Sequence, residues 1–468
     1  MSLIVNPSIF REYDIRGVVD TDLSEAFAER LGITYAEFIS KNIPVKGRPN
    51  LTVAVGEDCR LSSPSYAKAL ISGLRKGGID VIRLGLCPTP ATYFSLYHLD
   101  LDGGIMVTAS HLPADHNGFK VCVGHDAIYG EQIQILRTIM EKGSQYTSNR
   151  EGSVTDFNIL APYLTHLLKD TKPMKSKKIV IDCGNGNGSQ VAPALFRKLG
   201  ANVIELFCTM DGSFPNHVPD PSVASNLVQL IETVKDRQAD FGIGIDGDAD
   251  RVGIVDENGK IIYGDDLLII LSRDLLKEHP GATIVSEVKS SFELYDDIEK
   301  HGGKAIMWKT GHSLIEAKMK ETKALLGGEM SGHIFFADLN FGYDDAIYAA
   351  LRIYEIATRH AGKFSSLLAD LPKTFSTPEI RIHCKDTEKF AVVKKITARF
   401  REDPRLNHKK FTLIDGVRID FGDGWGLIRA SNTEPVLSLR FEATSQSRLE
   451  EIRKIFEDAL DEQGVSLS

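Results

Sequence analysis

The chain predicts an α/β protein of several units: three rounds of alternating strand and helix on mainly parallel sheets, then a smaller α+β unit. Three observations carry this. At 468 residues the chain is long enough for roughly three or four domains. Apolar runs of strand length alternate with helix-period segments as far as residue 370, which specifies parallel sheets covered by helices. The residues after 370 are strand-rich and mark a different terminal unit.

Composition sets the class. The chain is 42% hydrophobic and 25% charged, as a soluble globular protein is, and its net charge of -9 argues against a nucleic-acid partner. No run approaches the ~18 apolar residues of a membrane span. The start, MSLIVNPSIFREYD, lacks the basic lead and long apolar core of a signal peptide. Six cysteines (Cys59, Cys87, Cys122, Cys183, Cys208, Cys384) show no metal-type spacing, and several lie in or beside apolar runs, as reduced core thiols do. A cytoplasmic location is expected.

The first round opens with FREYDIRG, ending in a tight turn at Arg16-Gly17. Asp22 and Glu25 have capping-box spacing ahead of a helix whose apolar positions are Leu23, Phe27, Leu31, Tyr35 and Phe38. LTVAVGED reads as a buried strand, and Ser63 as the N-cap of a helix with Pro64 in its first turn, running to about Lys76. Strand IDVIRLG, a helix from near Pro88 and strand GGIMV bring the chain to Thr108. TASHLPADHNGFK, residues 108–120, then delivers Ser110 and His111 into a short loop held by Pro113, Asn117 and Gly118, with Lys120 just beyond. It places Ser110, His111 and Lys120 at the carboxyl end of a strand, where open α/β sheets carry ligands. Ser110 is a candidate nucleophile; an ordinary polar strand exit is the alternative.

A polar stretch at 142–153 precedes the second round. KKIVIDCGNGNGS is a strand turning through glycines into a helix. Its third glycine position for a dinucleotide fingerprint falls on Ser189, so it is read as a tight turn whose amides support a neighbouring loop. Strand NVIELF, helix SNLVQLIETVKD and strand DFGIGI follow. That last strand runs into IDGDADR, where Asp246, Asp248 and Asp250 alternate and can converge on one hard cation. Two alternatives stand beside this. An EF-hand loop would use Glu257 at its twelfth position, although Arg251 occupies the position its glycine requires. An aspartyl-phosphate phosphatase would use Asp246 as nucleophile.

The third round alternates helix DDLLIILSRDLLKE, strand ATIVSEVK, helix SFELYDDIEKHG, strand KAIMWKT and helix SLIEAKMKE, with a later helix from Asp344 to about His360. Lys289 and His312 follow its strands. In GGEMSGH, Glu329, Ser331 and His333 alternate, which aims them to one side and suits a grip for sugar hydroxyls; a glycine-rich loop with incidental polar residues is the alternative. The terminal unit reads as IRIHC, a helix to about Phe400, FTLIDGVRIDF, GWGLIRAS, VLSLRFEA and an amphipathic helix. RASNTEP within it offers Arg429, Ser431, Asn432 and Thr433 as an anion nest, with a capping turn before VLSLRFEA as the alternative. The expected limits are 1–153, 154–256, 257–370 and 371–468.

With these four loops in one order, the chain resembles the α-D-phosphohexomutases, closest to their bacterial phosphomannomutase/phosphoglucomutase branch. The resemblance runs from YDIRG to the C-terminal loop. It implies three related α/β domains with mixed, mainly parallel sheets and a C-terminal α+β domain around a central cleft. The implied activity interconverts hexose 1-phosphate and hexose 6-phosphate, of mannose, glucose or both, by an intramolecular phosphoryl transfer. A hexose 1,6-bisphosphate serves as intermediate and activator. Phosphoglucosamine mutase and a metal-dependent sugar phosphatase are the alternatives. Ser110 would be the phosphoserine, and Asp246, Asp248 and Asp250 would hold Mg²⁺ with a Ser110 phosphate oxygen. Arg251 would flank that phosphate, Glu329 and Ser331 would bind sugar hydroxyls, and Arg429, Ser431, Asn432 and Thr433 would hold the non-reacting phosphate. Tyr13, Arg16, His111, Lys120, Lys289, His312 and His333 match positions lining the family's cleft.

Lys120, His111 and His333 are the candidate proton carriers, and a lysine in that role would need neighbouring cations to lower its pKa. Leu112 stands where the family usually has asparagine, and Met330 favours the hexose branch over the glucosamine one. Partners are expected to be small sugar phosphates, with neither nucleic acid nor membrane, and the protein a monomer or weak dimer.

Overall fold

The computed structural model describes all residues except 1–4, 44–49, 145, 147, 173 and 467–468; two of these fall in the expected polar junction. The first sheet contains β1 (Ile15–Val18), β2 (Thr52–Glu57), β3 (Asp80–Leu86), β4 (Gly103–Val107), β5 (His116–Val123), β6 (Asp126–Ala127) and β7 (Val154–Asp156). Its order is β1-β5-β4-β2-β3-β7, with β6 on β5. β4, β2, β3 and β7 are mutually parallel, whereas β5 returns antiparallel between β4 and β1. Helices α1 (Glu25–Asn42), α2 (Ser63–Lys76), α3 (Thr89–His98) and α4 (Glu131–Lys142) belong to this unit.

The second unit carries α5 (Leu160–Leu168), β8 (Lys178–Asp182), α6 (Ala192–Lys198), β9 (Asn202–Leu206), α7 (Val228–Asp236), β10 (Phe241–Ile245), β11 (Val252–Asp256) and β12 (Ile261–Ile262). Its sheet runs β12-β11-β10-β8-β9. The third has α8 (Gly264–Glu278), β13 (Thr283–Glu287), α9 (Phe292–Lys300), β14 (Lys304–Trp308), α10 (His312–Thr322), β15 (Leu326–Gly328), β16 (Ile334–Phe336) and α11 (Ala346–Arg359), with sheet order β14-β13-β15-β16. The fourth contains β17 (Phe375–Ser376), β18 (Ile380–His383), α12 (Lys389–Glu402), β19 (Lys410–Thr412), β20 (Val417–Asp420), β21 (Gly424–Ala430), β22 (Val436–Ala443) and α13 (Gln446–Asp461). This sheet is wholly antiparallel, in the order β17-β22-β21-β20-β19 with β18 on β22.

The sheets correct several expectations. β7 pairs with β3, and β12 pairs with β11, so residues 154–156 lie in the first sheet and 261–262 in the second, each beyond the expected limit. α1 is capped by Ser24, whose hydroxyl accepts the Phe27 N–H at 3.2 Å; Asp22 instead accepts from Val18 N–H and Asn6, tying down the preceding turn. Ser63 is the first residue of α2, and its hydroxyl turns away to Asp58 over 2.5 Å.

One apolar cluster crosses the first three units, with Phe94, Ile181, Leu271 and Tyr354 among its members. The fourth unit has its own core around Phe400, Phe441 and Phe456. A small patch, Val288 against Trp425 and Leu427, joins it to the third. Three units therefore share one apolar body, and the fourth docks on the third mainly through buried polar contacts, Arg418 on the Val288 and Ser290 carbonyls and Arg440 on Asp265 and the Lys289 carbonyl. Among the described residues no helix is long and apolar enough to cross a membrane.

Candidate active site

β4 ends at Val107, and the next turn is set by Thr108, whose hydroxyl accepts the Ser110 N–H at 2.9 Å. Ser110 adopts φ +52°, a left-handed conformation that a non-glycine residue keeps only when its surroundings hold it. Its hydroxyl donates to Asp246 Oδ2 at 2.7 Å and lies 3.1 Å from His111 Nδ1. Burial, followed by the charges of Arg251 and Arg16, keeps the His111 imidazole well below the usual histidine range.

The holding group is Arg60, which sequence reading passed over. Its guanidinium is fully buried and donates to the carbonyls of Ser110, Leu112, Pro113 and His116 over 2.6–3.0 Å, with Asp58 as counter-ion at 3.1 Å. A charged pair directly after a buried strand was the available signal, in the Asp-Cys-Arg that follows β2. Leu112 contributes backbone groups here, donating its N–H to Ala109 and accepting from Arg60, so the loop keeps its course with leucine in place of asparagine.

The loop is also shorter than expected. Asn117, Gly118 and Lys120 belong to β5, where Lys120 lies opposite Met106 of β4. From there its ammonium donates to Asp248 Oδ2 at 2.8 Å and to Asp250. Burial opposes its charge, but Asp248 and Asp250 outweigh that and hold its pKa above the ordinary lysine value. The cation-lowered lysine expected from sequence is thus reversed, because its neighbours are carboxylates.

Asp246, Asp248 and Asp250 are all fully buried, and one oxygen from each lies within 4.8 Å of the others. Backbone N–H groups of Asp250 and Arg251 donate to Asp246 Oδ1 at 2.9 and 3.0 Å, while Thr89 donates to Asp248 Oδ2 at 2.6 Å. Asp248 Oδ1 and Asp250 Oδ1 have no hydrogen-bond donor. Three converging buried carboxylates, two of them with an oxygen that lacks a donor, are what a hard divalent cation satisfies. The EF-hand alternative fails: Glu257 accepts from Ser365 N–H and Oγ, and strands β10 and β11 flank the acidic loop.

Backbone stacking explains the glycines behind the site. A Cβ on Gly247 would stand 2.5 Å from the Ser110 carbonyl oxygen, and one on Gly186 would stand 2.5 Å from Gly247 O. Asn187 N–H donates to Gly247 O at 2.9 Å, so CGNGNGS supports the acidic loop through an amide, as its spacing implied.

Glu329, Ser331 and His333 converge by a different route from strand alternation. β15 stops at Gly328, and a turn through Gly332 at φ +97° folds the three together. His333 Nδ1 lies 2.9 Å from Glu329 Oε2 and 3.3 Å from Ser331 Oγ, while its Nε2 lies 3.2 Å from Arg251 Nε and 3.4 Å from Asp250 Oδ1. Burial opposes charge on His333, yet Asp250 and Glu329 lift its pKa to about 10. His312 opens α10, its ring 5.4 Å from that of His333 and 5.5 Å from that of Tyr13. Burial, then His333, depresses its pKa well below the usual range.

Tyr13 joins three units. Its hydroxyl donates to Thr310 O at 2.5 Å and accepts from Asn432 Nδ2 at 2.8 Å. In the same terminal loop Ser431 Oγ accepts N–H bonds from Thr433 and Glu434, at 3.3 and 3.2 Å. Cations of this region carry acidic partners: Arg429 on Asp415 at 2.9 Å, Arg16 on Asp14 at 2.7 Å, and Lys289 between Glu287 and Glu379 at 3.5 Å each. The four loops therefore meet, with Ser110, the three aspartates, Arg251, His333 and Glu329 in one continuous network. Tyr13 links that network's edge to the terminal loop.

Comparison with known proteins covers nearly the whole chain. Family models for phosphoglucomutase/phosphomannomutase match in series: α/β/α domain I at residues 7–147, domain II at 161–259, domain III at 263–375 and the C-terminal domain at 379–459. A phosphomannomutase/phosphoglucomutase of Pseudomonas syringae pv. tomato is 44% identical over 97% of this chain and 95% of its own. A phosphoglucomutase of Neisseria gonorrhoeae is 41% identical over 98% and 97%. The crystal structure of a phosphoglucomutase/phosphomannomutase family protein from Burkholderia thailandensis superposes with a TM-score of 0.90 at 39% identity, covering 98% of both chains.

Proposed function

The chain belongs to the α-D-phosphohexomutase family, and from that premise we propose that it interconverts the 1- and 6-phosphates of mannose or glucose through phospho-Ser110. It is an isomerase of the intramolecular phosphotransferase type. The observation that carries the residue assignment is the Ser110 hydroxyl on Asp246, inside a buried cluster of three aspartates.

Asp246, Asp248 and Asp250, with a phosphate oxygen on Ser110, would hold Mg²⁺. When bound, the cation offsets charge on the transferring phosphoryl group. Arg251, Arg16 and Lys120 add positive charge from the protein side. Phospho-Ser110 gives its phosphoryl group to the free hydroxyl of a hexose monophosphate, leaving the serine hydroxyl and a hexose 1,6-bisphosphate. After the bisphosphate turns over, its other phosphoryl group returns to Ser110. His111 Nδ1, at 3.1 Å, is placed to take the serine proton as that bond forms. Glu329 and Ser331 would grip sugar hydroxyls, and Arg429, Ser431, Asn432 and Thr433 the second phosphate, with Lys289 and His312 along the same wall.

Turnover of the bisphosphate asks the fourth unit to open; it has its own core and a small apolar patch against the third, and opening would break the Arg418 and Arg440 contacts between them. The working units would then extend through β7 and β12, beyond the limits read from sequence. A cytoplasmic monomer or weak dimer handling small sugar phosphates completes the reading.

Ser110→Ala tests it. The variant should fold, lose mutase turnover and lose the single phosphate found on Ser110 by intact mass and peptide mapping. Retained turnover would sink the assignment, and steady release of inorganic phosphate by the unmodified protein would favour the phosphatase instead. Parallel assays with mannose, glucose and glucosamine phosphates fix the sugar.

A further inference from the structure

We propose that Cys183 and Cys208 form a reversible thiol–disulfide site, oxidised by low-molecular-weight disulfides. All six cysteines of the chain are free thiols. The sulfurs of these two lie 3.2 Å apart. The fold brings them together at one end of the second sheet. β8 and β9 run parallel with Asp182 opposite Leu206, so Cys183 and Cys208 leave neighbouring strands at the same edge. Phe207, at φ +50°, turns the chain back, and Cys208 Sγ then also lies 3.4 Å from the carbonyls of Ile181 and Leu206. A disulfide needs the sulfurs to close to about 2.05 Å. That is a small displacement from the observed contact.

The two sulfurs differ in access. Cys183 is fully buried, whereas Cys208 is half-buried and meets solutes first. The Cys208 thiolate attacks one sulfur of a small disulfide, forming a mixed disulfide and expelling one thiolate. The sulfur of Cys183 then attacks Cys208 Sγ, its proton passing to the second small thiolate as that group is expelled. Two small thiols leave, carrying the two protons, and the protein is oxidised by two electrons. The new bond anchors the base of the glycine loop that supports Gly247, and through it Ser110.

The test treats the full-length protein, under native conditions, with glutathione disulfide. The expected result is a mass lower by about 2 Da, a linked peptide pair containing Cys183 and Cys208, and recovery on reduction. Cys208→Ala should block the change. Cys183→Ala should instead stop at a stable glutathione adduct on Cys208, because the resolving thiol is missing. Should the buried Cys183 site not tolerate alanine, Cys208→Ala alone still decides. A native protein that keeps both thiols alkylatable, accumulates the Cys208 adduct, or links another pair overturns the proposal.

Discussion

Arg60 Nη2 donates to the carbonyl oxygen of Ser110 over 2.8 Å, across fifty residues of sequence. A backbone contact of this kind fixes where the Ser110 hydroxyl points without touching the hydroxyl. The same guanidinium holds three more carbonyls of the loop, a planar array that an ammonium cannot reproduce.

Arg60→Lys should therefore keep the charge opposite Asp58 and lose the geometry. The expected outcome is a kcat lowered by about 10- to 100-fold with little change in KM, since a misplacement near 1 Å can cost that much. Arg60→Ala should lose about 3–5 kcal/mol of stability by leaving the Asp58 carboxylate buried without its partner. Steady-state kinetics on the lysine variant and denaturant melts on both separate the two effects.

Tyr13→Phe tests the junction of three units. It removes the acceptor for Asn432 and the donor to Thr310, worth about 1–3 kcal/mol if those buried groups stay unpaired. The expected result is a KM for hexose monophosphate raised by about tenfold, with kcat less affected. Gly311→Ala should do the same from the other side, because its Cβ would stand 2.2 Å from Tyr13 Cζ at a backbone φ of +133°. Unchanged KM in both variants would remove Tyr13 from substrate capture.

The two predictions mark where sequence reading stopped. The strand–helix alternation gave the order of elements because each segment's apolar period is local. IDGDADR was legible because its ligand types lie within one short loop. Arg60 was passed over for the opposite reason: the Asp-Cys-Arg after β2 marks a charged pair, but its partners lie 50–56 residues away and are backbone carbonyls, which have no side-chain signature. The ends of the first two sheets were misplaced because β7 and β12 are three and two residues long, too short to show periodicity. Asn117 and Gly118 were read as loop residues because they imitate a turn; both are in fact paired with β1.

Metal binding should be visible without turnover. Mg²⁺ added to the unmodified protein should raise its melting temperature, because a ligand that binds only the folded state stabilises it, by about 2.7 kcal/mol at 100 times Kd. Asp248→Asn should abolish that rise; Thr89 retains an acceptor and Lys120 retains Asp250, while loss of the buried Lys120–Asp248 pair lowers the metal-free melt. An equal Mg²⁺ response in the variant would place the cation elsewhere.

The last prediction concerns the junction of the third and fourth units. Glu379 lies just before β18 and faces Lys289 of the third unit at 3.5 Å, with Ser438 donating to it at 2.5 Å. Burial alone would raise its pKa; Lys289 and Arg381 overcome that and hold it at about 2, against an ordinary 4.5. A carboxyl depressed on folding stabilises the native state above its unfolded pKa, and that stabilisation disappears as pH falls towards the folded value. The window is therefore about pH 4.5 down to 2, and the stabilisation at neutral pH is on the order of 3 kcal/mol. Glu379→Gln should lower stability at pH 7 and flatten the acid limb of the stability profile over that window. Because Lys289 would then keep only Glu287 as its carboxylate, the variant should also bind a phosphorylated sugar more tightly. Melts from pH 2 to 7, with KM measured at pH 7, check both; an acid limb identical to that of the unmodified protein would show that Glu379 is not held ionised by this contact.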